Sequence, residues 1–246
     1  MIQTEDEVNG GEPMKVDIAL VLECIKGGEL YYNLRKYGKF TPMVAYHFFS
    51  QVVDAIAHMH KSGYCHRDLK PWNIMLSNDL CSVKVIDFSY ATPIDLDKCP
   101  DFLRGFLSGT KHYMAPEQFQ DRIDNFSKLD VWALAVLLMS MLTVDFAFES
   151  PNDPKFESFD PELFLADVAF ENNDEKRTIC DMLRRMLVKD IGQRMSIEEV
   201  QQMCIRPQID VWEYMNSRLV DKVRPSSSVP YTYCTTVILN AETEHD

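Results

Sequence analysis

The chain has 246 residues, of which 46% are hydrophobic and 26% are charged, a composition typical of a folded globular protein. Its formal net charge of −13 argues against nucleic acid as a partner, because a phosphate backbone requires a basic face. No apolar run reaches the roughly 18 residues of a membrane-spanning helix, and the acidic start lacks the apolar core of a signal peptide.

The cysteines are scattered and odd in number, and none forms a C-x-x-C pair. They are Cys24, Cys65, Cys81, Cys99, Cys180, Cys204 and Cys234. This spacing favours reduced thiols over a disulfide framework or a zinc site. We therefore expect a cytoplasmic or nuclear protein.

Short apolar runs and capping residues predict the first elements. The apolar run at 18–22 ends at a Lys-Gly-Gly turn, which favours a buried strand, and a short helix is expected at 29–36. Thr41 and Pro42 are typical of the N-cap and first turn of a helix. The apolar stripe that follows is wide, so we expect this helix to be largely buried and to end near Gly63.

Two strands are predicted next, at 74–76 and 83–86, joined by turn-forming Ser-Asn-Asp residues. The long irregular segment 87–117 is typical of functional or disordered loops. A strongly apolar helix is predicted at 127–142. Further helices are predicted at 161–171, 174–188, 196–204 and 211–219.

The strongest chemical signal is the continuous motif His66-Arg67-Asp68-Leu69-Lys70-Pro71-Trp72-Asn73. A carboxylate such as Asp68 can orient a hydroxyl and accept its proton. The cation of Lys70 can stabilise phosphoryl oxygens, and the amide oxygen of Asn73 can bind Mg²⁺. An aspartate in a loop is weak evidence of catalysis alone, but a match to a catalytic-loop motif that runs over eight consecutive positions is strong evidence.

Three further motifs follow in chain order. Asp87-Phe88-Ser89 comes after the second of the two strands, where a carboxylate can complete a Mg²⁺ site. Ala115-Pro116-Glu117 follows the pair Gly109-Thr110. Asp130-Val131-Trp132-Ala133-Leu134 opens the apolar helix.

Together these motifs resemble the eukaryotic-type protein kinases over residues 18–206, and Lys70 and Gly109-Thr110 are more similar to the serine/threonine kinases than to the tyrosine kinases. The resemblance implies an α+β, protein-kinase-like fold, mainly the helical C-terminal lobe with the hinge and a remnant of the N-lobe sheet. It implies ATP and Mg²⁺ as cofactors and serine or threonine of a protein as substrate. The implied catalytic residues are Asp68, Lys70 and Asn73, and the implied metal ligands are Asn73 and Asp87. The chain then divides into a polar segment (1–17), a kinase domain (18–206) and a tail (207–246).

The resemblance also implies scaffold and hinge roles. Asp130 is expected to brace the backbone of the catalytic loop, and Arg194 to pair with Glu117. The hinge between the two lobes is expected at 22–30. Its implied nucleotide-binding residues are Leu22 as gatekeeper, Glu23 and Ile25 facing adenine, Glu29 reaching the ribose and Met75 beneath the base.

The long loop carries two regulatory expectations. Thr110 is expected to hydrogen-bond to Asp68 and Lys70. A phosphate on Ser108 that pairs with Arg67 and orders the loop is a hypothesis, and an unmodified surface serine is the alternative.

Several positions depart from the family pattern. No G-x-G-x-x-G and no suitably placed strand lysine precede the hinge, so we expect a chain that lacks most of the N-terminal lobe and is an inefficient kinase alone. We also expect a partner protein to cover its exposed hinge face. Ser89 replaces the family's glycine. Trp72 and Ser140 stand where kinases that recognise arginine often carry glutamates, so the sequence gives no support for arginine-directed specificity.

Two other functions remain open. One is a pseudokinase-like binding scaffold whose exposed hinge face docks another protein. The other, a hydrolase that uses His66 and Asp68, has neither a nucleophile elbow nor metal-ligand spacing in the sequence. Neither a nucleic acid nor a membrane is expected as a partner.

Overall fold

Helices dominate the described part of the chain, and its strands are short. The computed structural model describes residues 17–19, 22–100, 109–119, 123, 125–146, 148–150, 152–204, 206, 211, 214 and 238–240. The helices are α1 (Leu30–Tyr37), α2 (Pro42–Lys61), α3 (Ser127–Thr143), α4 (Pro161–Phe164), α5 (Asn173–Met186) and α6 (Ile197–Met203). The strands are β1 (Asp17–Ala19), β2 (Tyr64–Cys65), β3 (Ile74–Leu76), β4 (Val83–Val85), β5 (Thr92–Pro93) and β6 (Ile238–Asn240). The predicted α+β class is confirmed.

The described residues belong to two compact units. In the first unit, which includes residues 17–24 and 238–240, β1 pairs antiparallel with β6 and Asp17 lies opposite Asn240. The predicted tail therefore contains a strand that the sequence did not predict. The second unit spans 25–229 and includes all the helices named above. The predicted domain boundaries, at other positions, stay predictions.

Helix α3 forms the centre of the second unit. Every residue from Leu129 to Leu142 is buried, as expected of a helix that is apolar on all sides. Helix α2 packs against α3 and buries a wide stripe that includes Phe48, Phe49 and Val52. This packing places the last turn of α2 beside the first turn of α3, where the polar residues of the site begin.

The antiparallel pair β3 and β4 lies beside this helical core. Ile74 pairs with Val85 and Leu76 with Val83. Ser77 closes the connection between the strands, because its carbonyl accepts from the Leu80 amide at 2.9 Å. The predicted strand pair is confirmed, except that the second strand ends one residue early.

Most predicted helices are confirmed to within two residues, namely α1, α2, α3, α5 and α6. Gly63, with φ +89°, follows the end of α2 as predicted. Thr41 stands at the N-cap of α2, but its side chain makes no capping hydrogen bond. Its amide donates instead to the Tyr214 hydroxyl at 3.0 Å.

Two predicted elements differ from the structure. The helix predicted at 161–171 ends at Phe164, because later amides bond to carbonyls three residues back and turn Leu165 and Val168 into the core. Of the strand predicted at 18–22, residues 18 and 19 lie in β1 (Asp17–Ala19), 20 and 21 lie outside the described residues, and Leu22 is not in a strand.

Other predictions fall partly outside the described residues. Of the helix predicted at 211–219, Val211 and Tyr214 are described, and both are helical. Among the helices that the structure describes, none is long and apolar enough to cross a bilayer.

Candidate active site

The carboxylate of Asp68 is the centre of a hydrogen-bond network. Lys70 Nζ donates to Asp68 Oδ2 at 2.6 Å and to Thr110 Oγ1 at 2.9 Å. The Thr110 hydroxyl donates to Asp68 Oδ1 at 3.0 Å. Asn73 Nδ2 lies 2.8 Å from the Asp68 carbonyl oxygen and 3.2 Å from Oδ2. Donors therefore fix both oxygens of a buried carboxylate.

A single 3₁₀ turn, Pro71–Asn73, brings Asn73 back onto Asp68. Proline begins the turn with a backbone angle suited to it, and the Asn73 amide donates to the Lys70 carbonyl at 2.9 Å. Residues 66–73, here called the Asp68 loop, therefore place the side chains of Lys70 and Asn73 against the Asp68 carboxylate.

Asp130, in the first turn of α3, fixes the backbone of the Asp68 loop. Its Oδ2 and Oδ1 accept from the amides of His66 and Arg67, both at 2.8 Å. His60 Nε2, from the last turn of α2, lies 2.8 Å from Asp130 Oδ2. Burial alone would raise the pKa of Asp130, but the hydrogen bonds from His60 and the His66 amide, with the electrostatic influence of both histidines, outweigh it and lower this pKa.

The imidazole of His66 links the Asp68 loop to the end of β4. Its Nδ1 accepts from the Asp68 amide at 3.3 Å, and its Nε2 lies 3.0 Å from the Ile86 carbonyl oxygen. Because the carbonyl can only accept, Nε2 carries the proton in this arrangement. His66 therefore connects the Asp68 loop to the segment that leads into Asp87.

Arg67 is buried behind the loop with a left-handed backbone, φ +68°. A non-glycine residue in this conformation is strained and must be held by its surroundings. Its Nη1 donates to Thr92 Oγ1 at 2.9 Å, and its guanidinium lies 4.7 Å from the Phe126 ring centre. Burial lowers the pKa of Arg67, and the neighbouring Cys65, Cys99 and Asp130 oppose that shift.

Asp87 also has a left-handed backbone, φ +62°. Its Oδ1 accepts from the Ser89 hydroxyl at 2.6 Å and from the Ser89 amide at 3.3 Å. The serine that replaces the family's glycine therefore holds the carboxylate. Phe88 between them is 55% exposed and contacts the His66 ring, with ring centres 5.5 Å apart.

The oxygens of Asn73 and Asp87 fit the chemistry of Mg²⁺. Asn73 uses its amide nitrogen toward Asp68, which leaves its oxygen for a cation. The Ile86 amide donates to the Asn73 carbonyl at 2.9 Å, so the segments that carry the two predicted ligands are hydrogen-bonded to each other. Magnesium is commonly held by one or two carboxylates together with substrate phosphates. In the described part of the chain no three His, Cys, Asp or Glu side chains form a metal cluster.

The expected hinge runs against strand β3. The Gly27 amide donates to the Leu76 carbonyl at 3.1 Å, and the Leu76 amide to the Gly28 carbonyl at 2.9 Å. A Cβ at Gly27 would lie 2.1 Å from the Ser77 carbonyl oxygen, so only glycine permits this approach. Asn33, on the buried face of α1, donates to the carbonyls of Gly27 and Glu29 at 3.1 and 2.9 Å.

The residues predicted to bind nucleotide fall in both units. Met75 is buried on β3, Ile25 is half-buried, and burial raises the pKa of Glu29. Leu22 and Glu23 lie in the first unit, and both are exposed. These nucleotide contacts stay predictions.

The structure brings the other predicted residues together with one exception. Arg194 forms a buried ion pair with Glu117, and Asp68, Lys70, Asn73 and Thr110 share one network. Ser108 lies outside the described residues, so its phosphorylation stays a hypothesis.

Three residues of the site were not found from the sequence, namely His60, Thr92 and Asn33. Each contacts a partner at least four residues away, and His60 and Thr92 contact partners 70 and 25 residues away. A polar residue on an otherwise apolar helix face was the available signal for Asn33 and His60. Thr92 lies in an irregular segment and carried no such signal.

Comparison with known proteins gives a consistent result. A family model described as the protein kinase domain matches residues 7–204. The chain is 32% identical over 187 residues to the mitosis inducer protein kinase cdr1 of Schizosaccharomyces pombe, covering 74% of this chain and 29% of that protein. It is 31% identical over 188 residues to the probable serine/threonine-protein kinase HSL1 of Saccharomyces cerevisiae, covering 76% of this chain and 12% of that protein.

The match to a plant relative spans a larger share of that relative's length. The serine/threonine-protein kinase SRK2C of Arabidopsis thaliana is 33% identical over 189 residues, covering 74% of this chain and 53% of that protein. The chain thus spans from about an eighth to about half of the length of these relatives.

Proposed function

Because the chain belongs to the eukaryotic-type serine/threonine protein kinase family, we propose that it transfers the γ-phosphoryl group of ATP to serine or threonine of a protein substrate. The observation that carries this proposal is the network around Asp68, in which Lys70, Asn73 and Thr110 fix both carboxylate oxygens. A carboxylate held in this way can orient a substrate hydroxyl and accept its proton as the oxygen attacks phosphorus.

Each residue of the network has a distinct role in this proposal. Lys70 places a positive charge 2.6 Å from Asp68, where it can stabilise the oxygens of the migrating phosphoryl group. Asn73 and Asp87 would hold Mg²⁺, which neutralises phosphate charge when bound. Asp130 keeps the Asp68 loop in position, so that little reorganisation is needed during transfer.

The experiment measures phosphate transfer from labelled ATP with Mg²⁺ to a generic serine/threonine substrate. Asp68→Asn should lower kcat by at least about 100-fold, since it removes the base. Asp181→Asn, an exposed aspartate on α5, is the matched control and should leave the rate unchanged. Transfer that survives Asp68→Asn would refute the assignment.

A binding scaffold is the second candidate, and the exposure of Phe88 favours it. This side chain is 55% exposed, and a partner protein that covers it would remove its apolar surface from water, which is favourable. A partner protein that covers it is part of this second proposal. Calorimetric titration with ATP and Mg²⁺ separates the candidates: nucleotide binding together with phosphate transfer would support the kinase, and the absence of both would leave the scaffold as the remaining candidate.

For localisation we propose the cytoplasm or nucleus. Cys65, Cys99, Cys180 and Cys204 are buried thiols without disulfide bonds, which suits a reducing compartment. Imaging of a fluorescent fusion tests this, and secretion of the fusion would contradict it.

A further inference from the structure

The carboxylate of Asp87 is held at one of its two oxygens. The Ser89 hydroxyl donates to Asp87 Oδ1 at 2.6 Å, and the Ser89 amide donates to the same oxygen at 3.3 Å. The shorter distance is typical of a hydroxyl that donates to a charged oxygen. In the described part of the chain no donor contacts Oδ2, and the residue is exposed. The two oxygens therefore differ: Oδ1 is bonded within the chain, and Oδ2 is open to a ligand.

The backbone around Ser89 fixes the position of its hydroxyl. The Ala91 amide donates to the Phe88 carbonyl at 2.9 Å, which closes a turn with Ser89 at its second position. Asp87 has a left-handed backbone, φ +62°, and the amide of the residue before it donates to the Asn73 carbonyl at 2.9 Å. The hydroxyl and the carboxylate therefore meet from two backbones that neighbours already hold. The orientation of the carboxylate is set before a cation binds.

The side chain at position 89 adds a donor that glycine cannot supply. The glycine of the family pattern would offer its amide alone, whereas Ser89 offers its amide and its hydroxyl to one oxygen. The hydroxyl makes the shorter of the two contacts, so it is the main restraint on the carboxylate. Removing it should therefore change how Asp87 presents its oxygens to a cation.

The two common divalent cations respond differently to this restraint. Mg²⁺ requires near-octahedral geometry and is usually held by one or two carboxylates with several waters, whereas Ca²⁺ takes about six to eight oxygens and accepts a carboxylate through both of its oxygens. An oxygen that already accepts two hydrogen bonds is a poor second ligand, because its lone pairs are in use. Binding through Oδ2 alone therefore suits Mg²⁺ and removes a contact that Ca²⁺ could otherwise gain.

We infer that Ser89 is a positioning residue that makes Asp87 a one-oxygen ligand and thereby favours Mg²⁺ over Ca²⁺ at the site shared with Asn73. This inference rests on the proposed function, which assigns Mg²⁺ to Asn73 and Asp87. It goes further by giving the hydroxyl at position 89 a part in the choice of cation.

The test measures cation binding without nucleotide and without phosphate transfer. MnCl₂ is titrated into the full chain, and electron paramagnetic resonance reports the free Mn²⁺, which prefers oxygen ligands as Mg²⁺ does. Competition with MgCl₂ and with CaCl₂ then gives a Kd for each cation. Asp87→Asn is titrated in parallel, because a chain with a formal charge of −13 can bind cations at other carboxylates. Equal Mn²⁺ binding by both proteins would overturn the inference, since Asp87 would then hold no cation.

Variants at position 89 assign the selectivity to the hydroxyl. In Ser89→Ala the ratio of the Ca²⁺ Kd to the Mg²⁺ Kd should fall by about fivefold, the size expected for one hydrogen bond to a charged group that water partly replaces. Ser89→Gly should behave as Ser89→Ala does, and Ser89→Thr, which keeps the hydroxyl, should retain the parent ratio.

A matched control and two contrary outcomes complete the test. Ser62→Ala removes another exposed hydroxyl, one that donates to the His58 carbonyl at 2.9 Å, and should leave the ratio unchanged. An unchanged ratio in Ser89→Ala would overturn the inference. Equal weakening of both cations in Ser89→Ala would overturn it too, because the hydroxyl would then be a ligand itself.

The phosphate-transfer assay separates this inference from the proposed function. A fall in the ratio for Ser89→Ala, in a chain that transfers no phosphate, would support the role of Ser89 and refute the kinase activity. Transfer by the parent chain, with the same ratio in Ser89→Ala as in the parent, would refute the role of Ser89 alone.

Discussion

Arg194 holds Glu117 in a buried two-point ion pair across 77 residues of sequence, with Nη1 2.5 Å from Oε1 and Nη2 2.8 Å from Oε2. The guanidinium also donates to the carbonyls of Val188 and Lys128, both at 2.9 Å, and lies 5.0 Å from the Trp132 ring centre. Each of its three nitrogens therefore donates to at least one acceptor. The pair therefore ties the end of the long loop to α3 and to the segment that precedes α6.

Replacing one partner of this pair should strongly destabilise the fold. Glu117→Gln leaves a buried guanidinium without its counter-charge, and we expect a loss of about 3–5 kcal/mol in the free energy of unfolding. Arg194→Lys should also destabilise the fold, because an ammonium group keeps the charge but lacks the planar pair of donors and cannot also reach the carbonyls of Val188 and Lys128. Urea denaturation measures both. The double variant Glu117→Leu with Arg194→Met should be more stable than Glu117→Leu alone or Arg194→Met alone, and additive losses from these two changes would contradict this account.

Asp130 gives a prediction about pH. Its pKa lies below the ordinary value of 3.8 in the folded protein. A carboxyl with a lowered folded pKa contributes stability above its unfolded pKa, and that stability is lost as the pH falls through the folded pKa. Asp130→Asn loses charge-assisted hydrogen bonds, so it should be less stable at pH 7 by about 3 kcal/mol. The difference from the parent chain should shrink below pH 3.8.

Denaturation curves of both proteins at pH 7, 5 and 3 measure this difference. Asp95→Asn is the control, because hydrogen bonds from Lys98 and the Asp97 amide also lower the pKa of Asp95 but its side chain lies on the surface. A constant difference between Asp130→Asn and the parent chain at all three pH values would exclude the assigned role of the Asp130 charge.

The sequence predicted most of the helices because their signals are local. The apolar stripe of α2 and its first proline lie within the helix, and the glycine that marks its end lies two residues beyond it. The helix predicted at 161–171 shows the limit of that approach. It ends at Phe164 because tertiary burial of Leu165 and Val168 determines the later turns, which no local pattern reveals. The pairing of β1 with β6 depends on residues more than 200 positions apart.

For the site, the sequence predicts the polar residues around Asp68 but not all of the residues that hold them in place. Asp68, Lys70 and Asn73 are recognisable because they share one short motif. His60, which binds Asp130 from another helix, is visible only when α2 and α3 are packed together. The hypothesis that Arg67 pairs with a phosphate on Ser108 stays a prediction, and the structure adds that the buried Arg67 guanidinium donates to Thr92. These buried partners are distant in sequence, so they can be identified only once the helices and loops are packed together.

The Thr92 hydroxyl should contribute measurably to stability. It accepts from Arg67 Nη1 at 2.9 Å and donates to the Tyr90 carbonyl at 3.0 Å. Thr92→Val keeps the shape but removes both bonds, and we expect a loss of about 1.5–3 kcal/mol because one bond is to a charged group. Thr92→Ser keeps the hydroxyl and should lose less. Equal stabilities of the two variants in urea denaturation would show that the hydroxyl does not support Arg67.

Thr110 should affect the rate of transfer rather than the stability of the chain. Its hydroxyl accepts from Lys70 at 2.9 Å and donates to Asp68 Oδ1 at 3.0 Å, so it orients both groups. Thr110→Val removes both bonds and should lower kcat by about tenfold or more, since misplacing a base weakens catalysis strongly. Thr110→Ser should retain most of the rate. In an Asp68→Asn background, Thr110→Val should lower the residual rate much less, because residues that act as a unit are not additive. A full tenfold loss in that background would mean that Thr110 acts independently of Asp68.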